Sequence, residues 1–209
     1  MERFSTKQEI LNAALELFST QGFDATSVSQ IADAVGIRKA SLYSHFKGKQ
    51  EILDELTKRV LESYEKHSIF AAADWEDPDF TKNMQALNFD SAVQLFLGQV
   101  RYILQDPQLS RARKLLTIEQ FRNPQLAELQ TKQNYTDIMR YFTGLIGFLI
   151  RQKKLVADEP ELLAAELCLP VNVWINLCDR EPEHTEATLA LAERHIRHFF
   201  KTNAGFNAP

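Results

Sequence analysis

The sequence predicts an all-α chain. Seven glycines and seven prolines among 209 residues are few, and the prolines are read as separators between periodic segments. Alternating β-branched runs closed by Asn-Gly or Asp-Gly, the mark of hairpins, are absent. Apolar residues recur instead at helical spacing along most of the chain.

The first helix is expected from about Thr6 to Thr20, with Ile10, Ala14, Leu17 and Phe18 on one face and Gly22 as its stop. Ser27 can cap a second helix, Gln30 completes a capping-box pattern, and Gly36 ends it near Val35. A third is expected from Lys39 to Phe46. A fourth, from Lys49 to His67, carries Ile52, Leu53, Leu56, Val60 and Leu61 on one side. "AAADWEDPDF" then brings four acids and a proline and reads as a loop or weak helix start. Helices follow at about 90–105, 107–121 and 124–154, and Pro160 and Pro182 open two more, at 160–179 and 184–202. Phe121, Phe142 and Phe148 are read as core.

At 44% hydrophobic and 25% charged residues, the chain can bury a substantial core. Its first residues interleave charges with apolar positions and lack the unbroken centre of a secretory leader. No stretch is expected to reach the roughly 18 uncharged apolar residues of a membrane span. Cys168 and Cys178 fall in one predicted helix, about 15 Å apart, so they are read as buried free thiols of a reducing cytoplasm.

The informative stretch is "GIRKASLYSHFKGKQ", residues 36–50. It holds Arg38, Lys39, Lys47 and Lys49 and no acid, in a chain of net charge −4. Two short helices joined by Gly36 suggest a helix-turn-helix, with Ala32 small where the helices cross. Ile31, Val35, Ile37 and Leu42 are apolar where the helices face the core. On the third helix Leu42 and Phe46 share the inward side, so Ala40, Tyr43, Ser44 and Lys47 point away, with Lys39 and Ser41 at the edges. Small residues, hydroxyls and cations on one face suit a helix pressed into a DNA major groove. A solvated charged face is the plainer reading, and the glycine turn and paired apolar positions argue against it.

"FDATSVSQIADAVGIRKASLYSHFKGKQEIL", with the leading "ILNAALELFSTQGFDATSV", resembles the DNA-binding region of the tetracycline-repressor (TetR) family of bacterial transcription regulators. The resemblance covers about residues 8–55, roughly a quarter of the chain. It implies a three-helix headpiece (1–48), a connecting helix (49–67) and a C-terminal effector-binding and dimerisation domain (68–209), about nine helices in all. It further implies that Arg38, Lys39 and Ser41 lie near bases and that Tyr43 sets its hydroxyl on a phosphate. Ser44 would meet a base edge, and His45 a base edge or phosphate. Lys49 and Ser27 would meet phosphates from the N-termini of their helices. Position 44 is often a larger aromatic in the family, and serine shortens that reach.

The C-terminal part resembles the family in helix layout alone, so its sites are read from residues. Tyr102, Glu119, Arg122, Tyr135, Arg140 and Tyr141 interrupt apolar stripes and are the candidate pocket for a small organic effector. Leu169, Val173, Trp174 and Leu177, with Leu189, Ile196 and Phe199, suggest helices apolar on two sides, one closed by a second copy in a four-helix bundle. Such a dimer brings two readers to a palindromic duplex about 34–36 Å apart. His195 and His198, with His184 upstream, lack a cysteine or carboxylate at ligand spacing, so no metal is expected. No nucleophile–base pair, phosphate loop or paired acid stands out, so neither catalysis nor a cofactor is expected. The expectation is a cytoplasmic, homodimeric DNA-binding regulator, most simply a repressor. A helical module whose headpiece docks another protein is the alternative.

Overall fold

The computed structural model describes residues 5–86, 88–156 and 158–204. Among them are twelve α-helical segments and no strand beyond one isolated bridge, Leu155 to Ala204. The chain divides into two compact units, residues 1–66 with 107–130, and residues 67–106 with 131–209.

The first unit begins with α1 (Thr6–Gln21), capped by the Ser5 hydroxyl, which accepts from the Gln8 N–H. α2 (Val28–Val35) opens on a closed capping box: Ser27 Oγ accepts from the Gln30 N–H at 3.2 Å, and Gln30 Oε1 accepts from the Ser27 N–H at 2.7 Å. A cap of this kind stabilises a helix by about 1 kcal/mol. Gly36 ends α2 with φ 75° and ψ 28°, the left-handed conformation that a Cβ disfavours. Ile37 then donates its N–H back to the Ala32 carbonyl at 3.0 Å, which fixes the turn.

α3 (Lys39–Tyr43) is three residues shorter than the apolar spacing suggested. The Ser44 hydroxyl donates to the Ser41 carbonyl at 2.6 Å, and His45 and Phe46 both return their N–H groups to Leu42. Residues 44–46 therefore form a closing turn that still brings Phe46 inward. α4 (Lys49–His67) follows as expected.

The core of this unit joins Ile10, Leu11, Ala14 and Phe18 of α1, Ile31 and Ala32 of α2, and Leu42, Phe46, Ile52, Leu53 and Leu56. Each fully buried large side chain contributes roughly 1.5–3 kcal/mol. The same core takes Leu115 and Leu116 of α8 (Pro107–Glu119) and Leu126 and Leu129 of α9 (Pro124–Thr131). This division differs from the expected boundaries, which gave residues 107–130 to the C-terminal domain. Phe121, expected in the core, is 91% exposed, because α8 ends before it at Glu119.

In the second unit the segment read as a loop is helical at its two ends and a loop at 73–77. α5 (Ile69–Ala72) is one turn, and α6 (Pro78–Ala86) starts on a proline, with the Asp77 carboxylate accepting from the Asp79 N–H at 2.9 Å. α7 (Phe89–Gln105) is capped by Asn88. The long helix expected at 124–154 is interrupted: after α9 comes a π-helical turn, Lys132–Thr136, and then α10 (Asp137–Arg151). α11 (Pro160–Arg180) and α12 (Thr185–Thr202) close the unit.

Pro170 lies inside α11, against the expectation that prolines only separate helices. Its ring removes one backbone donor, and the helix persists with Leu163, Ala164, Leu167, Cys168, Val171 and Ile175 buried along it. α11 also has the length and mean hydropathy (1.3) of a membrane span, which the sequence reading did not anticipate. One side of it is part of the core, packed against α10 and α12.

Candidate nucleic-acid interface

The headpiece carries its polar face on the outside of a fixed frame. Leu42 is 0% exposed and Phe46 2%, so α3 is pinned by its apolar pair. Arg38, Lys39, Ala40, Ser41, Tyr43, Ser44, His45 and Lys47 are exposed. Arg38 is the N-cap of α3 and makes no side-chain capping bond, so its guanidinium is not committed to the helix end. Tyr43, 47% exposed, presents its ring and hydroxyl outward. Arg38, Lys39 and Lys47 form no ion pair with any acid among the described residues. The face can therefore offer three cations, a phenol, an imidazole and hydroxyls to a polyanion without first breaking a salt bridge.

Two candidates sit differently from expectation. Ser44 is exposed, but its hydroxyl proton is directed at the Ser41 carbonyl, leaving only lone pairs for a base edge. Lys49 is half-buried, with its ammonium on the Phe23 carbonyl, 3.4 Å from the Asp24 carbonyl and 4.1 Å above the Phe23 ring. A phosphate contact by Lys49 requires it to leave or share those partners. Ser27 keeps its hydroxyl proton free while its oxygen caps α2, so it can donate to a phosphate at that helix N-terminus.

The frame has a part that sequence reasoning missed. Glu119 is 3% exposed and accepts the Phe23 N–H at 2.8 Å. Phe23 is thus held at its N–H by a carboxylate and at its C=O, in the next peptide group, by the Lys49 ammonium. Arg122 lies 3.7 Å from Asp24 in the same turn. Glu119 and Arg122 were candidates for the effector pocket. They belong instead to the first unit, where they secure the link between α1 and α2. A polar residue in an apolar stripe signals only that it has a use, so nothing in the sequence pointed to Phe23.

The other pocket candidates also separate. The second unit contains a cavity of about 660 Å³ lined by residues of α7, α10 and α12, with Ile69, Leu155 and Leu167. Of the six candidates only Tyr141 lines it. Tyr102 and Tyr135 are 42% and 52% exposed. Arg140 pairs with Asp137 at 3.3 Å and donates to the Phe70 carbonyl at 3.4 Å. Its walls come from Phe96, Phe142, Leu145, Phe148 and Phe200, apolar residues that periodicity could assign only to a core.

The predicted dimer face divides in two. Leu189, Ile196 and Phe199 are 5%, 3% and 5% exposed and lie in the core of their own unit. They are not available to a second chain: an apolar stripe reveals burial but not what buries it. Val173 is 65% exposed and Leu162 51%, with Leu169, Trp174 and Leu177 half-buried beside them on α11 and Leu191 exposed on α12. His195, from which no metal ligation was expected, packs its ring 5.5 Å from Trp174, with Nε2 3.0 Å from the Leu167 carbonyl.

A helical protein with a helix-turn-helix headpiece is the class that this geometry defines. Residues 10–56 match the family model for bacterial regulatory proteins of the tetR family. Over 55 residues it is 44% identical to the HTH-type transcriptional regulator AcrR of Shigella flexneri, covering 26% of each chain. Over 58 residues it is 43% identical to the HTH-type transcriptional repressor KstR2 of Mycobacterium tuberculosis, covering 28% of this chain and 29% of that one. These matches span little more than a quarter of the relatives' length. The whole fold is similar to that of SmeT, the repressor of a Stenotrophomonas maltophilia multidrug efflux pump, with a TM-score of 0.62 at 17% identity over 97% of this chain and 92% of that one. It is also similar to the flavonoid-responsive regulator FrrA, with a TM-score of 0.56 at 22% identity over 97% and 98%.

Proposed function

We propose that this chain is a cytoplasmic, homodimeric transcription regulator that represses from a palindromic DNA operator and is released by a small-molecule effector. The observation that carries the reading is the acid-free outward face at residues 36–50, built on the buried Leu42–Phe46 pair. Lys39, Ser41, Tyr43 and His45 meet the groove, and Arg38, Lys47 and Ser27 contact the flanking backbone. Lys49 steadies the frame from behind. Phosphate contacts supply most of the affinity, and the few groups at the α3 N-terminus supply the sequence preference.

Repression is supported by the headpiece relatives, among them KstR2 and the negative regulator IcaR of Staphylococcus aureus. Effector control is supported by two fold relatives, one solved as a SmeT–triclosan complex and one described as flavonoid-responsive. The cavity of the second unit is the effector site, and a ligand there lowers DNA affinity by favouring a form that fits the operator less well. Dimerisation uses the exposed Leu162, Val173 and Leu191 with the half-buried Leu169 and Trp174 beside them.

Selection of bound sequences from random duplexes tests the reading. Enrichment of a two-fold site, with half-sites one helical turn apart and dimeric protein in sedimentation, is the expected result. Failure to enrich any sequence above the starting pool rules it out.

A further inference from the structure

The cavity's charge pattern goes one step beyond the regulatory reading, on which it rests, because it names the ligand's chemistry. Every charged residue lining the cavity is a cation: Lys154, Arg197 and Lys201. Arg197 is already matched, held by Asp90 at 2.7 Å and Glu193 at 3.0 Å, with its guanidinium 5.8 Å from the Phe89 ring centre. Lys154 and Lys201 pair with no acid among the described residues.

These two lysines come from distant segments, and the backbone is arranged to bring them together. Lys153 takes φ 58°, the only non-glycine residue described with positive φ. It returns its N–H to the Ile150 carbonyl at 2.9 Å, and Lys154 returns its own to Leu149 at 3.0 Å, a turn that ends α10 abruptly. The chain then runs beside the end of α12, joined by the Leu155–Ala204 bridge and by the Val156 N–H on the Asn203 carbonyl at 3.0 Å. A lysine near a helix C-terminus is favoured by the helix dipole alone. That preference does not explain why both lysines line one cavity, or why a left-handed lysine stands where glycine is the usual choice.

We propose that this cavity takes an amphipathic anion. An apolar body lies among Phe96, Phe142, Leu145 and Phe148, and one anionic head, a carboxylate or its sulfonate or phosphate equivalent, sits at the lip between Lys154 and Lys201. The volume of about 660 Å³ suits such a molecule and falls within the roughly 300–1,000 Å³ of ligand pockets.

Calorimetry on the full chain with three probes of one tail, dodecanoate, dodecanol and dodecyltrimethylammonium below micelle formation, tests this. Dodecanoate is expected to bind about tenfold tighter than the other two, the scale of two solvent-facing ion pairs. The double variant Lys154→Gln/Lys201→Gln should remove that preference while leaving dodecanol affinity unchanged. Ala92→Trp, at an exposed lining position, should weaken all three. Equal affinities, no binding at all, a preference untouched by the lysine variant, or dodecanoate binding unaffected by Ala92→Trp would each overturn the proposal. Operator affinity measured alongside separates this proposal from the regulatory reading. Anion-selective binding that leaves operator affinity unchanged supports the ligand class and removes the effector role. Operator release by the cationic probe as readily as by dodecanoate keeps the effector role and removes the ligand class.

Discussion

Glu119→Ala tests the frame of the headpiece without touching its outward face. In the wild type the Glu119 carboxylate accepts the Phe23 N–H at 2.8 Å while being 3% exposed itself. A hydrogen bond to a charged group of this kind contributes about 1.5–3 kcal/mol. Alanine removes the acceptor and opens a small void beside Leu115 and Leu116, which are each 1% exposed. A loss of about 2–3 kcal/mol is expected, measured by urea melts of variant and wild type. Glu119→Gln keeps an oxygen acceptor in place and should lose about half as much. Because Lys49 holds the carbonyl of the same residue, Glu119→Ala and Lys49→Ala should couple by at least about 0.5 kcal/mol in a double-mutant cycle. A Glu119→Ala variant within about 0.5 kcal/mol of wild type, with additive behaviour in the cycle, would refute the strut.

Gly144→Ala should displace the indole of Trp75, because an added Cβ would lie 2.2 Å from Trp75 Cδ1; a loss of about 1–3 kcal/mol and an altered tryptophan emission spectrum are expected. Val173→Asp should split the proposed dimer in sedimentation while keeping helical content, whereas Ile196→Asp should unfold the second unit, since Ile196 is 3% exposed in its core. Burial pushes the Cys168 thiol up to about 12 from an ordinary value of 9.0. The folded state therefore keeps its proton longer than the unfolded state does. The stability tied to this thiol is intact below about pH 9 and is lost as pH rises from 9 towards 12, and at pH 8 iodoacetamide should label Cys168 only as fast as the second unit opens.

The headpiece was legible because its signals are local. The Ser27–Gln30 box, the Gly36 turn and the Leu42–Phe46 pair each need only a few consecutive residues, and all three stand as expected. The shortening of α3 was not legible, since it depends on the Ser44 hydroxyl choosing the Ser41 carbonyl over solvent. Segments α5 and α6 were obscured by a composition of acids and proline that suits a loop and the first turn of a helix equally. Sites assembled from distant segments were the least legible. Leu189 and Ile196 advertised burial without naming a partner, and Glu119 gave no sign that its partner is Phe23, 96 residues away. Lys154 and Lys201 share a cavity through one backbone bridge, which no periodicity encodes.

The most direct test of the central claim is the salt dependence of binding to a selected duplex, for the wild type and for the Arg38→Ala, Lys39→Ala and Lys47→Ala variants. If the outward face of the headpiece grips DNA, log affinity falls linearly with log salt. Each variant at a phosphate contact then flattens the slope by about 0.9. A wild-type affinity indifferent to salt, or three variants with the wild-type slope and sequence preference, would contradict the account.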